Sequence, residues 1–211
     1  LQKTAQRVNH MKKSIMISGP DGTGKSTIIN KLHKELGFEI VWLRFHHYLS
    51  KIVNMIGRIV GKSYRKEYSW GKVGYHDYCG IFGVFYIFAV YIDHLLFKLL
   101  IKNRKFKKNK TYLVDRYILD VVADLIVDTK NYKMVFFLFD RLVRKELSAF
   151  DSYILECNID IVIGRRNDIK DDKKYLDKIN AYKVISHKYN INTINTGLLS
   201  LDAITQRILN K

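Results

Sequence analysis

The run Gly19-Pro20-Asp21-Gly22-Thr23-Gly24-Lys25-Ser26 fulfils the pattern GxxxxGK[ST] at every fixed position. Glycines at that spacing let the backbone curl until successive N–H groups point at one anion, and a helix starting at the lysine adds its positive end. An ammonium at Lys25 reaches the β- and γ-phosphates of a nucleoside triphosphate, and a hydroxyl at Ser26 ligates Mg²⁺. Gly19, Asp21, Gly22, Thr23, Gly24, Lys25, Ser26 and Thr27 are thus candidate ATP-binding residues, with Mg²⁺ as the accompanying metal.

Phosphoryl transfer also needs an acid on the metal side, positive charge on the acceptor and a cover against water. Asp115 closes a short apolar run and would orient Mg²⁺ or a water bound to it. Arg116 and Arg44 stand at or near the ends of such runs, on the edge where open α/β sheets bind ligands. Arg165 and Arg166 begin the charged segment Arg165–Lys174, which would close over the phosphates. Guanidinium groups suit this work because they bind phosphate oxygens in pairs and stay charged.

Other polar residues have plainer readings. His46 and His47 are adjacent and point apart, which makes a poor metal pair and favours a structural or surface role. Asp120 and Asp124, four apart on one helical pattern, either face the site or belong to a solvated helix face. Asp93 and His94 read as a satisfied polar pair inside a helix. Tyr64, Tyr68, Trp70, Tyr75 and Tyr78 interleave with Lys62, Arg65, Lys66 and Lys72. They form either a loop packed over the core or a surface that stacks bases and neutralises phosphates.

The surrounding elements are those a phosphate-binding loop requires. Ser14–Ser18 predicts a buried strand, and Lys25–Leu36 has helical spacing and ends at Gly37. Glu39–Phe45 predicts a second strand, Leu49–Val60 a helix, and Gly61–Gly80 a long irregular connection. Ile81–Ile101 predicts a central helix, followed by a strand at Thr111–Asp115 and helices at Ile118–Asp128 and Tyr132–Leu147. Strands at Ser152–Glu156 and Ile191–Asn195 then alternate with helices at Asp160–Arg166, Tyr175–Tyr189 and Leu201–Leu209. Such alternation implies an α/β sandwich with a parallel sheet and right-handed crossovers.

The residues together resemble the thymidylate kinase family and its thymidylate kinase-like relatives. The resemblance rests on GPDGTGKST near the start, Asp115-Arg116-Tyr117 after the third strand, and an arginine pair after the fourth. It runs from Lys12 to the C-terminus. It implies a three-layer α/β/α P-loop NTPase sandwich over residues 12–211, with a five-stranded parallel sheet in the order 2-3-1-4-5 and residues 1–11 as an N-terminal extension. It also implies ATP- and Mg²⁺-dependent phosphoryl transfer to a nucleoside monophosphate, with Lys25, Asp115, Arg116, Arg165 and Arg166 as the catalytic set. Asp21, Arg44, Arg116 and Tyr117 would then bind the acceptor, and Thr196 and Gly197 would border the donor adenine.

Two departures bear on the acceptor. Thymidylate kinases carry an arginine in an aromatic-and-alanine motif of the central helix, whereas the nearest match here, Phe88–His94, has none. Phe45-His46-His47 also replaces the usual loop after Arg44. Donor binding survives both, but thymidylate as acceptor does not follow. A sugar, a lipid-linked compound or another small molecule is the alternative acceptor.

Composition bounds the remaining classes. The chain has 211 residues, 47% hydrophobic and 27% charged, with Pro20 as its one proline and no linker-like stretch. That is the profile of one globular domain. A formal net charge of +17 attracts polyanions. Lys102–Lys110 reads as a solvated loop, or else as a contact for nucleic acid or lipid. A non-catalytic nucleotide- or nucleic-acid-binding module is the rival from another class. Cys79 and Cys157 lack metal or redox spacing and fit free thiols in a cytoplasmic protein. Ile81–Ile101 has spanning length, but Asp93, His94 and Lys98 within it favour a buried helix. Peripheral membrane contact and a homodimer stay open.

Overall fold

The computed structural model describes residues 13–43, 47–68, 71–102, 106 and 110–210. In chain order the first half holds β1 (Ser14–Ser18), α1 (Lys25–Leu36), β2 (Glu39–Trp42), α2 (Leu49–Ile59), β3 (Ser63–Tyr68), β4 (Gly71–His76) and α3 (Ile81–Phe97). A π-helical turn, Lys98–Lys102, extends α3. The second half holds β5 (Tyr112–Asp115), α4 (Ile118–Thr129), α5 (Tyr132–Ala149), β6 (Phe150–Glu156), α6 (Ile159–Arg165), α7 (Tyr175–Tyr189), β7 (Asn192–Asn195) and α8 (Leu201–Leu209).

β2, β5, β1, β6 and β7 lie side by side in that order, every neighbouring pair parallel. Numbered among themselves, these five strands run 2-3-1-4-5, the order the resemblance implies. Alternation along β1 explains why both faces are covered. Ile15 and Ile17 turn to one layer with Ile28, Ile29 and Leu32 of α1 and Ile204 and Ile208 of α8. Met16 turns to the other, where α3, α4, α5 and α7 pack. Buried on both faces, β1 reads as a continuous apolar run, as parallel strands do.

The connection Gly61–Gly80 departs from its expectation as an irregular stretch. β3 and β4 pair antiparallel through it, with Tyr64 opposite Tyr75 and their rings stacked at 5.6 Å. Alternation of Tyr64, Lys66 and Tyr68 carries the strand signal, masked by the density of lysines. Its aromatics divide: Tyr64 is exposed, and Trp70 lies outside the described residues. Tyr75 and Tyr78 are buried, and Tyr78 donates to Asn54 Oδ1 at 2.8 Å.

Asp93 is buried in α3, but its partners lie on α2 rather than at His94. Its carboxylate accepts from the backbone N–H groups of Tyr48, Leu49 and Ser50 at 3.0, 2.7 and 2.9 Å, and from Ser50 Oγ at 2.6 Å. Those are the orphan donors of a helix start, so α3 supplies the cap that α2 lacks in its own sequence. The sequence-based expectation of a buried central helix holds for one side of α3, while its other side is exposed.

Candidate functional site

The loop after β1 has the backbone that its glycines permit. Gly19, Gly22 and Gly24 have φ of 146°, 81° and 86°. A Cβ on Gly19 would stand 2.5 Å from the Leu155 carbonyl oxygen, so the loop can cross β6 only with glycine there. Thr23 turns its hydroxyl inward, donating to Pro20 O at 2.8 Å.

Lys25 folds back across the loop. Its Nζ donates to Gly19 O and Pro20 O, each at 2.7 Å, and lies 3.7 Å from an Asp21 carboxylate oxygen. Burial lowers its ammonium, while Asp21 and Asp120 oppose that shift. Arg116 pairs with Asp21 from the end of β5, where its φ of 58° is left-handed and turns the chain towards the loop. Burial would raise the Asp21 carboxyl, but Arg116 and Lys25 outweigh it and hold the group below its usual range.

One cavity of about 330 Å³ gathers Asp21, Gly22, Gly24, Lys25, Ser26, Thr27, Asp115, Arg116, Arg165 and Arg166 in its wall. The strand end, the loop, the first turn of α1 and the end of α6 therefore converge on one cavity. Asp115 Oδ1 is buried there without a hydrogen-bond partner among the described residues. Burial raises the Asp115 carboxyl against the pull of Lys25 and Arg116. An unsatisfied carboxylate oxygen beside the Ser26 hydroxyl fits Mg²⁺, which takes one or two protein oxygens and completes its shell from phosphate and water.

Arg165 donates to Thr196 O at 3.3 Å, tying the end of α6 to the turn after β7. Thr196 shares a second cavity, about 280 Å³, with Thr23, Gly24, Thr27, Arg165 and Leu199. This slot opens beside the loop. Gly197 stands beyond it, its N–H bound to Asn195 Oδ1 at 2.9 Å. Arg166 pairs with Asp168 in the charged segment.

A third cavity, about 490 Å³, opens on the other side. It shares Ser26, Asp115 and Arg116 with the first cavity and adds Trp42, His47 and Tyr86, with Asp124 and Asp128 farther along α4. Tyr117 lines it but is 2% exposed, its ring 5.6 Å from that of His94, so it belongs as much to the core. His47 bonds Ser50 Oγ at 2.8 Å beside the start of α2. Arg44, Phe45 and His46 lie outside the described residues.

Asp120 and Asp124 part company. Asp120 is buried and holds Ser18, Tyr117 and Tyr182, whereas Asp124 pairs with Lys178 at 3.0 Å. Several contributors carry no sequence motif. Tyr175 donates to Asp21 O at 2.9 Å, and Lys174 to Asp128 Oδ1 at 2.9 Å. Lys174 also reaches His76 O, and Tyr68 donates to Asp171 O at 3.0 Å, so the β3–β4 hairpin is tied to the charged segment. A lysine in a turn and tyrosines at the ends of a strand and a helix give no local signal of such reach.

Burial, with Lys174 and His47 adding, pushes His76 down to about 4. Burial pushes Asp128 up to about 6, opposed by Lys174. The signs differ. His76 contributes stability that is present above its ordinary value near 6.5 and lost as pH falls towards 4. Asp128 contributes stability that is present below 3.8 and lost as pH rises through about 6. His76→Gln should remove the first dependence. Relative to wild type the variant gains about 1 kcal/mol between about pH 7.5 and about pH 5, after discounting for solvent screening. Urea unfolding at both pH values checks this, and an unchanged difference rejects it.

No protein-family model matches the sequence, and no curated protein matches it. Solved structures do match by shape. Thymidylate kinase from Candida albicans superposes with a TM-score of 0.56 at 14% identity, over 94% of this chain and 90% of that one. YorR protein from Bacillus subtilis, in complex with phosphorylated GDP, gives 0.52 at 17%, over 93% and 94%. Deoxyadenosine kinase from M. mycoides, with bound dATP, gives 0.50 at 18%, over 93% and 97%. The chain therefore shares the fold of these three structures along nearly its whole length.

Proposed function

We propose that this protein is a kinase that transfers the γ-phosphoryl group of ATP, with Mg²⁺, to a nucleoside monophosphate. The observation that carries the reading is the junction of two cavities at Ser26, Asp115 and Arg116. One has the phosphate loop in its wall and the other has room for a second substrate. In this reading the loop N–H groups and Lys25 hold the donor phosphates, and the slot at Thr196 takes the adenine. Mg²⁺, held by Ser26 and Asp115, would neutralise charge on the β- and γ-oxygens. Arg116 would leave Asp21 for the acceptor phosphate, and Arg165 and Arg166 would shield the transferring group. An acceptor phosphate oxygen is already ionised, so no general base is required.

A second reading has a specific support. Asp124 and Asp128 stand in the wall of the acceptor cavity, and α3 has no arginine facing it. Carboxylates suit the hydroxyl groups of an uncharged acceptor better than a phosphate. Asp115, with its raised carboxyl, suits taking the hydroxyl proton. Deoxyadenosine kinase among the structural neighbours makes nucleosides one such class.

Coupled ADP release against a panel of nucleoside monophosphates, nucleosides, sugars and sugar phosphates tests both. Turnover with a monophosphate supports the first reading. Turnover confined to unphosphorylated hydroxyl compounds replaces it with the second. ATP binding without turnover on any of them rejects both.

A further inference from the structure

The cavity proposed for the acceptor has a phosphate end and a far end, with α4 running between them. Ser26, Asp115 and Arg116 mark the first, and Asp120, Asp124 and Asp128 follow at four-residue intervals on one side of the helix. A rise of 1.5 Å per residue carries that wall roughly 12 Å from Asp120 to Asp128. A single sugar ring ends short of such a span, whereas the base of a nucleoside reaches along it. At the far end Tyr86, Val90 and Leu125 complete the wall.

Their partners separate the three carboxylates. Asp120 has both oxygens bonded within the core, to Ser18, Tyr117 N and Tyr182. Lys178 stands 3.0 Å from Asp124 Oδ1 and Lys174 stands 2.9 Å from Asp128 Oδ1, and neither lysine lines the cavity. Among the described residues each lysine takes one oxygen, which leaves Oδ2 of both carboxylates for what fills the cavity. Arg116, at the phosphate end, is the one lysine or arginine among the described residues of the wall, and none of them is an asparagine or glutamine. The charged groups at the far end are therefore hydrogen-bond acceptors. Thymine and uracil turn two carbonyl oxygens and one N–H towards a partner, so carboxylates there meet acceptors with acceptors. Guanine, adenine and cytosine each carry an exocyclic amino group, and guanine sets a ring N–H beside it.

We infer that Asp124 and Asp128 select the acceptor by its base, accepting hydrogen bonds from the amino group of guanine, adenine or cytosine and disfavouring thymine and uracil. The inference rests on the kinase reading above, and it holds whether the acceptor enters as a nucleoside or as its monophosphate. Lys174 and Lys178 act as positioning residues, since each fixes one oxygen of a carboxylate and so turns the other to the cavity.

Values of kcat/KM with ATP and Mg²⁺, measured for the nucleosides and monophosphates of all five bases and for sugars, test this. The wild type favours at least one amino base over thymine and uracil by roughly thirtyfold. Asp124→Asn with Asp128→Asn collapses that ratio, because a carboxamide donates as well as accepts. Asp124→Asn alone, at an exposed residue, moves the ratio the same way and keeps the test open if the change at Asp128 harms folding, which melting midpoints report. Equal or better turnover of thymine or uracil compounds by the wild type overturns the inference and leaves the kinase standing. So does turnover confined to sugars, or a preference for amino bases that both folded variants keep. No ADP from any acceptor removes the kinase reading and the inference together.

Discussion

Lys25→Met is expected to lower the rate of phosphoryl transfer by about 10³-fold, close to 4 kcal/mol of transition-state stabilisation. The ammonium now rests on the Gly19 and Pro20 carbonyls, a place from which a triphosphate would draw it onto its own oxygens. Charge develops on the bridging and terminal oxygens as the bond breaks, so the loss falls on kcat more than on nucleotide affinity. Stability should change little. Two hydrogen bonds to loop carbonyls are lost, but a cation whose burial is itself costly goes with them. Lys25→Arg should not rescue, because a planar fork cannot replace a compact charge in a pocket shaped by the loop backbone. ADP release and calorimetric melting read the two effects separately. Kinase and ATPase rates unchanged in Lys25→Met would leave the loop as a nucleotide-binding element without catalysis.

What the sequence announces is what local chemistry enforces. Glycine spacing, an apolar strand before it and a helix after it define the loop, because few other structures tolerate that combination. The arginine pair and Asp115-Arg116 follow because they sit at fixed distances from strand ends. Sheet order is legible only through the family resemblance, since no local pattern says that β5 lies between β1 and β2.

The hairpin is the clearest element not anticipated. Gly61–Gly80 is rich in lysine, glycine and tyrosine, and strand formation there rests on cross-strand pairs such as Tyr64 with Tyr75. Such pairs are long-range facts that a propensity scale averages away. The same holds for the ties between hairpin and charged segment. Tyr68 and Asp171 are 103 residues apart in the chain. The charged segment expected to close over the phosphates is thus joined to a second one.

Asp120 supplies the other large effect. Sequence offers two readings, a group facing the site or a solvated helix face, and the buried environment departs from the second. Its Oδ2 accepts from Ser18 Oγ at 2.8 Å and Tyr117 N at 3.0 Å, and its Oδ1 from Tyr182 OH at 2.6 Å. One carboxylate thus joins the end of β1, the start of α4 and the middle of α7, immediately behind the phosphate loop. The bond to Tyr117 N is half of a capping box, with Asp120 at the third helical position reaching back to the cap. Asp120→Ala should cost about 4 kcal/mol, because buried donors on three elements lose a charged acceptor at once. For a chain of this size that lowers the melting midpoint by about 10 °C. Tyr182→Phe removes one donor and leaves none stranded, so its cost should be near 1 kcal/mol. The two changes share a bond, and the double variant should therefore be less destabilised than the sum by about 1 kcal/mol. A loss below about 1 kcal/mol for Asp120→Ala would mean that water replaces the carboxylate. The loop would then be held by its own backbone and not by this residue.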